Sequence, residues 1–177
     1  MKLKWIPLSV TAALSAALLF GGWTAYQRYG VEQPLERIAA SVPGVDAVQS
    51  EISPGQVVLK AELKPDADLA QIYREIQQKA ARAIGGRTLE IEPVNRSDAR
   101  LDKAWSRALF DVAEAMEHRR YSDVVAAMNR LQRQNPGVQA DTSMDEQNVY
   151  IRLTDHSAVK FVVLPRQPDK LGVWPNA

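Results

Sequence analysis

Residues 5–26, WIPLSVTAALSAALLFGGWTAY, carry no charged side chain. A helix of that length, at about 1.5 Å per residue, reaches across a hydrocarbon layer of about 30 Å. The stretch therefore predicts an N-terminal transmembrane helix, with the lipid bilayer as a partner through residues 5–26. Trp5 at one end, and Trp23 with Tyr26 at the other, fall where amphipathic rings settle at headgroup depth. A cleaved signal peptide would instead need small residues at the last and third-last positions before the cut. Cutting after Ala25 places Trp23 third-last, and cutting after Gly22 places Phe20 there, so an uncleaved signal-anchor is expected. Lys2 and Lys4 precede the stretch, and the positive-inside rule then predicts a single-pass cell-membrane protein, N-terminus cytoplasmic and body extracytoplasmic. Ser9, Ala13, Ala17, Gly21 and Ala25 recur every four residues, a ridge of small side chains through which two such helices can associate.

The anchor takes residues 1–27 and a linker takes 28–33, leaving about 150 residues, enough for one ordinary domain or two small modules. Basic and acidic residues number 22 and 21, a net charge of +1. That balance creates no long-range field for a polyanion, and no nucleic acid partner is expected. The chain has no cysteine, which excludes disulfides and a lipoprotein anchor. His118, Arg119 and Arg120, with Arg130 and Arg133 beyond them, read as cations that offset helix dipoles.

Residues 34–94 predict an α-β-β-α-β module. Leu35, Ile38, Ala39 and Val42 share a helix face, and Pro43-Gly44 stops that helix. Val45 to Ile52 and Gln56 to Leu63 read as a hairpin around Ser53-Pro54-Gly55. A second helix, opened by Pro65-Asp66, carries the stripe Leu69, Ile72, Tyr73, Ile76, Ala80 and Ile84. Gly85-Gly86 ends it, and Thr88 to Val94 alternates as a strand.

Residues 95–166 predict two helices and a three-stranded antiparallel sheet, so the fold class is α+β. Ser97 is the expected cap of a helix over 98–118, whose core stripe is Leu101, Trp105, Ala108, Leu109, Val112, Ala115 and Met116. Ser122 is the expected cap of the next, built on Val124, Val125, Met128 and Leu131. Strands follow over 138–143, 148–154 and 158–164, joined by short polar turns. Residues 167–177 read as a mobile tail.

Few residues form a chemical constellation. Asp141, Ser143 and Asp145 begin like a calcium loop, but Glu146 stands where the turn needs glycine and Arg152 where a bidentate glutamate belongs. Asp155, His156 and Ser157 have the residue types of a triad, yet hairpin neighbours are expected to point apart. Two histidines without cysteine make no zinc set, and Gly85-Gly86 follows a helix where a phosphate loop precedes one. No cofactor, metal or catalytic residue is expected. Phe110 alone stands out as a partner contact: at 100° per residue it lies about opposite Leu101, among Lys103, Ser106, Glu114 and Glu117. The competing expectation is that another part of the body, such as the first module, covers it.

The chain also matches itself. Arg37-Ile38 and Pro43-Gly44-Val45 recur as Arg130-Leu131 and Pro136-Gly137-Val138 at one offset. With one residue fewer in the turn, Val57-Val58-Leu59-Lys60 meets Val149-Tyr150-Ile151-Arg152. A duplicated helix, Pro-Gly corner and hairpin would explain this; chance is the rival, since Pro-Gly is an ordinary helix stop.

The run ERIAASVPGVDAVQ, VVLKAELKPDADLAQIYREI and GRTLEIE resembles two envelope modules. One is the BON module, whose diagnostic glycines are not evident here. The other is the ring-building module of secretion, flagellar and sporulation assemblies. The whole layout is similar to uncharacterised single-pass membrane proteins of spore-forming Gram-positive bacteria. The reading is thus a non-enzymatic, membrane-anchored interaction or assembly module, whose partner is a second copy or an envelope protein. The alternative is a domain that binds a small ligand or wall component in a groove between the two modules; an enzyme assembled from distant residues comes third.

Overall fold

The computed structural model describes residues 15–22 and 32–167. Residues 15–22 are helical (α1). The body then runs α2 (Gln33–Ala40), β1 (Val45–Ser53), β2 (Gln56–Leu63), α3 (Leu69–Ala80), β3 (Thr88–Val94), α4 (Ala99–Glu117), α5 (Tyr121–Gln134), β4 (Gln139–Met144), β5 (Asn148–Asp155) and β6 (Ala158–Pro165). The class is α+β.

The expected transmembrane helix is corrected. Among the described residues no helix is long and apolar enough to cross a membrane. Of the small-residue ridge, Ala17 and Gly21 are helical and exposed, while Ser9, Ala13 and Ala25 lie outside the described residues, as do residues 168–177 of the tail.

One structural device occurs twice. α2 and α5 each end at a Pro-Gly corner, where Gly44 and Gly137 take φ of +93° and +98°, a conformation that costs glycine little. Beyond each corner a valine enters the core, Val45 at 9% exposure and Val138 at 4%. Its amide donates back to the chain three residues earlier, Val45 to Val42 O at 3.2 Å and Val138 to Asn135 O at 3.0 Å. A hairpin follows in both cases, antiparallel in register from Ala47↔Glu62 and from Gln139↔Thr154. The first hairpin adds a bulge between Val45 and Ala47. In the central strands the matched inward positions are Val57, Leu59, Ala61 and Leu63 against Val149, Ile151, Leu153 and Asp155, all buried.

The first copy extends through α3 to β3, which pairs parallel to β2. α2 and α3 cover one face of this sheet, packing Leu35, Ala39, Ile72 and Ile76 on Leu59 and its strand neighbours. The second copy extends to β6, completing an antiparallel sheet in the order β4-β5-β6.

That second sheet is covered on both sides. Val149, Ile151, Leu153 and Leu164 join the core beneath α4 and α5. Side chains alternate along a strand, so Tyr150, Val159 and Phe161 point the other way, into the core of the first copy. There Tyr73 of α3 meets Tyr150 edge-on, ring centroids 5.1 Å apart, and its hydroxyl donates to the carbonyl of Ile91.

Three helix starts differ from expectation. α3 begins at Leu69 because the Asp68 carboxylate caps it, accepting from the Gln71 amide at 3.0 Å, whereas residues 64–67 close a turn (Ala67 N to Lys64 O, 3.0 Å). Asp98, not Ser97, caps α4, accepting from Leu101 N at 2.8 Å; the Ser97 hydroxyl donates to Asp102 instead. α5 starts at Tyr121 with no side-chain cap, and Ser122 is already inside it.

Candidate functional site

α4 is the longest described helix, 19 residues with one committed face. Leu101, Ala104, Trp105, Ala108, Val112, Ala115 and Met116 are buried. The opposite arc, within about 60° of Phe110 at 100° per residue, holds Ala99, Lys103, Ser106, Arg107, Phe110, Ala113, Glu114 and Glu117. Phe110 is 78% exposed at its centre. Among the described residues neither the first module nor any other element covers it. Its backbone is held from behind by the core stripe, so the ring is presented on a rigid element.

The charges on this arc are sorted. Lys103 and Arg107 lie N-terminal to Phe110, Glu114 and Glu117 C-terminal to it. Lys103, Arg107 and Glu117 make no ion pair among the described residues, and Glu114 has one long contact to Arg120 at 3.4 Å. Charges off the arc are engaged: Asp111 pairs with Arg130 of α5. Asp102 pairs with Lys160 of β6 at 3.0 Å, and the Ser97 hydroxyl with that ammonium holds its carboxyl below the usual aspartate range.

A second place worth weighing is the seam between the two copies. A groove of about 240 Å³ is lined by Asp66, Ala67, Asp68 and Leu69 from the start of α3 and by Asp141, Thr142, Ser143, Tyr150 and Arg152 from the second sheet. Four of its polar side chains already serve the fold. Arg152 donates to Asp141 at 2.6 and 3.2 Å and to the Ala67 carbonyl at 3.1 Å. Asp68 is the α3 cap, and the Tyr150 hydroxyl donates to Asp145 at 2.8 Å. The volume falls below the ~300–1,000 Å³ typical of small-molecule sites.

Of the residues resembling a calcium loop, Asp141 and Ser143 lie in β4 and Asp145 opens the turn after it. Asp145 accepts from the amides of Gln147 and Asn148, each at 2.8 Å, as well as from Tyr150. Among the described residues no group of acidic or histidine side chains could hold a metal ion.

The expectation that Asp155 and His156 point apart is corrected. His156 takes a positive φ of 52°, which brings Nδ1 within 2.8 Å of the Asp155 carboxylate. Ser157 takes no part in that contact. Asp155 is 3% exposed and also pairs with Arg100 at 3.0 Å, while Arg100 reaches the Pro136 carbonyl at the second corner. This cluster locks the corner of α5 to the start of α4. Asp155 occupies the position held by Leu63 in the first copy.

Compared with known proteins, the chain matches no family model, no curated protein and no solved structure.

Sequence reasoning found Phe110 through its helical angle but drew no function from the charges around it. Their order along the helix was the available signal. Arg100 and Arg152 were missed as clasps, because each binds a carbonyl from a distant segment, Pro136 and Ala67.

Proposed function

We propose that the chain is a non-enzymatic interaction or assembly module whose protein-binding face is the outer arc of α4. The observation that carries this reading is Phe110, 78% exposed on a helix whose other side is fully committed to the core. Large aromatics are enriched at the desolvated centres of protein interfaces and are unfavourable in water. Flanking charges, of which Lys103, Arg107 and Glu117 have no ion pair among the described residues, add specificity. A small ligand held in the seam is the weaker reading, since Asp68, Asp141 and Arg152 there are already engaged with one another or with backbone.

The test is a photoreactive phenylalanine analogue placed at residue 110 of the full chain in its native cell. A control sample carries it at Gln49, exposed on the far sheet. A discrete adduct specific to position 110 is expected. Equal labelling from both positions, or none from 110, overturns the reading.

A further inference from the structure

We infer that the partner of the α4 face is α4 of a second copy of this chain, packed antiparallel across a two-fold axis beside Phe110. The inference rests on the reading of α4 as a binding face and names what binds there.

The argument is one of register. An isologous pair brings residue i against j and j against i. If Phe110 meets its own copy, every residue k positions before it faces the residue k positions after it on the other helix. Lys103 then faces Glu117, each seven positions from Phe110. Both lie within about 20° of the Phe110 direction, so the two pairs bracket the ring contact above and below. Arg107 falls within one residue of Glu114 of the second copy, on the same flank. On the other flank Ser106 meets Ala113, small side chains that let the helices approach. A parallel pairing in the same register sets Lys103 on Lys103 and Glu117 on Glu117. The arc is therefore complementary to itself in one orientation and repulsive in the other, as charge-sorted helix pairs are.

The remaining charges fit. Those that would lie away from the two-fold seam, Asp102 and Asp111, are neutralised within the chain by Lys160 and Arg130. Lys103, Arg107 and Glu117, which would lie in the seam, have no such partner among the described residues.

The test uses the full chain, with residues 17 and 21 unchanged in every sample so that any association through that segment is common to all. The chain has no cysteine, so introduced thiols are unique. Ser106→Cys and Ala113→Cys leave Phe110 and the four charges intact. Mixed and mildly oxidised, they should give a disulfide between the two variants. Alone they should not, because like positions are then about 9–12 Å apart along the axis, beyond disulfide reach. Sedimentation equilibrium should show self-association weakened at least about tenfold by Phe110→Ser. Lys103→Glu should weaken it too, and Lys103→Glu with Glu117→Lys should restore it. Disulfides between like positions, or association indifferent to all of these substitutions, overturn the inference. If the chain sediments as a monomer while residue 110 captures a different protein in cells, the second-copy inference falls and the binding-face reading stands. If residue 110 captures nothing, both fall.

Discussion

Arg96 and Val159 exchange both backbone hydrogen bonds, at 3.1 and 3.0 Å, although Arg96 lies just beyond the first sheet and Val159 within the second. Arg96 follows β3 and Val159 lies in β6, so this rung staples the outer edge of the second sheet to the end of the first. Asn95 adds to it by accepting from the Phe161 amide at 2.6 Å, and the Arg96 guanidinium reaches the Leu63 carbonyl at 2.8 Å. Both amides of the rung should exchange with solvent only through global unfolding, together with those of β2 and β5. Exchange of the Arg96 and Val159 amides well ahead of β2 in native-state measurements would show that the two halves open separately.

The two Pro-Gly corners should respond unequally to alanine. Both glycines hold φ values that strain any L side chain, which costs about 1 kcal/mol or more at each. At Gly44 the new Cβ would also lie 3.0 Å from Ile72 Cδ1, whereas at Gly137 its nearest neighbours are 3.5 Å away, on Arg100 and Asp155. Gly44→Ala should therefore destabilise the fold more than Gly137→Ala in denaturant titrations. The reverse order would mean that Ile72 yields readily.

Arg100→Ala should cost about 1–3 kcal/mol, below the ~3–5 kcal/mol of a fully buried pair, because water reaches one side of the guanidinium. What it leaves behind is Asp155, 3% exposed with only His156 to face it. The double variant Arg100→Ala/Asp155→Leu should recover most of the loss, since leucine stands at the matching position, Leu63, of the first copy. If the double variant is as unstable as the single one, the carboxylate does more than balance a charge.

Asp145 and Tyr150 predict a pH response with two limbs. Burial alone would raise the Asp145 pKa, but the Asn148 amide, the Tyr150 hydroxyl and the Gln147 amide outweigh it and hold the carboxyl low. Its folded value is below its unfolded one, so its contribution is present above roughly pH 4 and is lost as pH falls through the folded value. For Tyr150, burial first and Asp145 next push the hydroxyl up. Its contribution is present below roughly pH 10 and is lost as pH rises toward the folded value. Relative to the native chain, Asp145→Asn should therefore be most destabilising near neutrality and converge with it in acid, read as urea midpoints by circular dichroism. A gap that stays constant with pH would remove Asp145 from the account.

Phe110→Ser should change unfolding stability by less than about 0.5 kcal/mol, the range for a surface position. Truncation of a buried phenylalanine costs about 3–5 kcal/mol, so a loss on that scale in denaturant titrations would show the ring to be core.

Much of the layout was legible because each strand and helix states its period locally. Val57, Leu59, Ala61 and Leu63 alternate, and the α4 stripe repeats at three and four. Caps were less legible: Ser97 and Asp98 are both good capping residues, and only the geometry of the chain arriving from β3 chooses between them. The joining of the two copies escaped because a strand buried on both sides loses its alternation. Val149-Tyr150-Ile151 and Val162-Val163 were the visible trace of that, but an unbroken apolar run does not say what lies on the second side. The N-terminal reading erred in the other direction. An uncharged run states what a segment could span, whereas among the described residues no helix is long and apolar enough to do so. For the candidate site, Phe110 was readable from angle alone, whereas the meaning of Lys103, Arg107, Glu114 and Glu117 needed the knowledge that three of them have no ion-pair partner among the described residues.

The second sheet lends its spare face to the first core, and this bears on the order in which a growing chain can fold. A polypeptide released as far as residue 134 holds all of β1, β2, α3 and β3, yet the side of Tyr73 that meets Tyr150 is still wet. Only when Phe161 has been made does that side close, so the earliest elements synthesised wait for the last strand. Cutting the chain in the loop after β3 would leave each half with an uncovered apolar surface shaped to the other. The two fragments would then recognise one another in solution and rebuild the body without a covalent link.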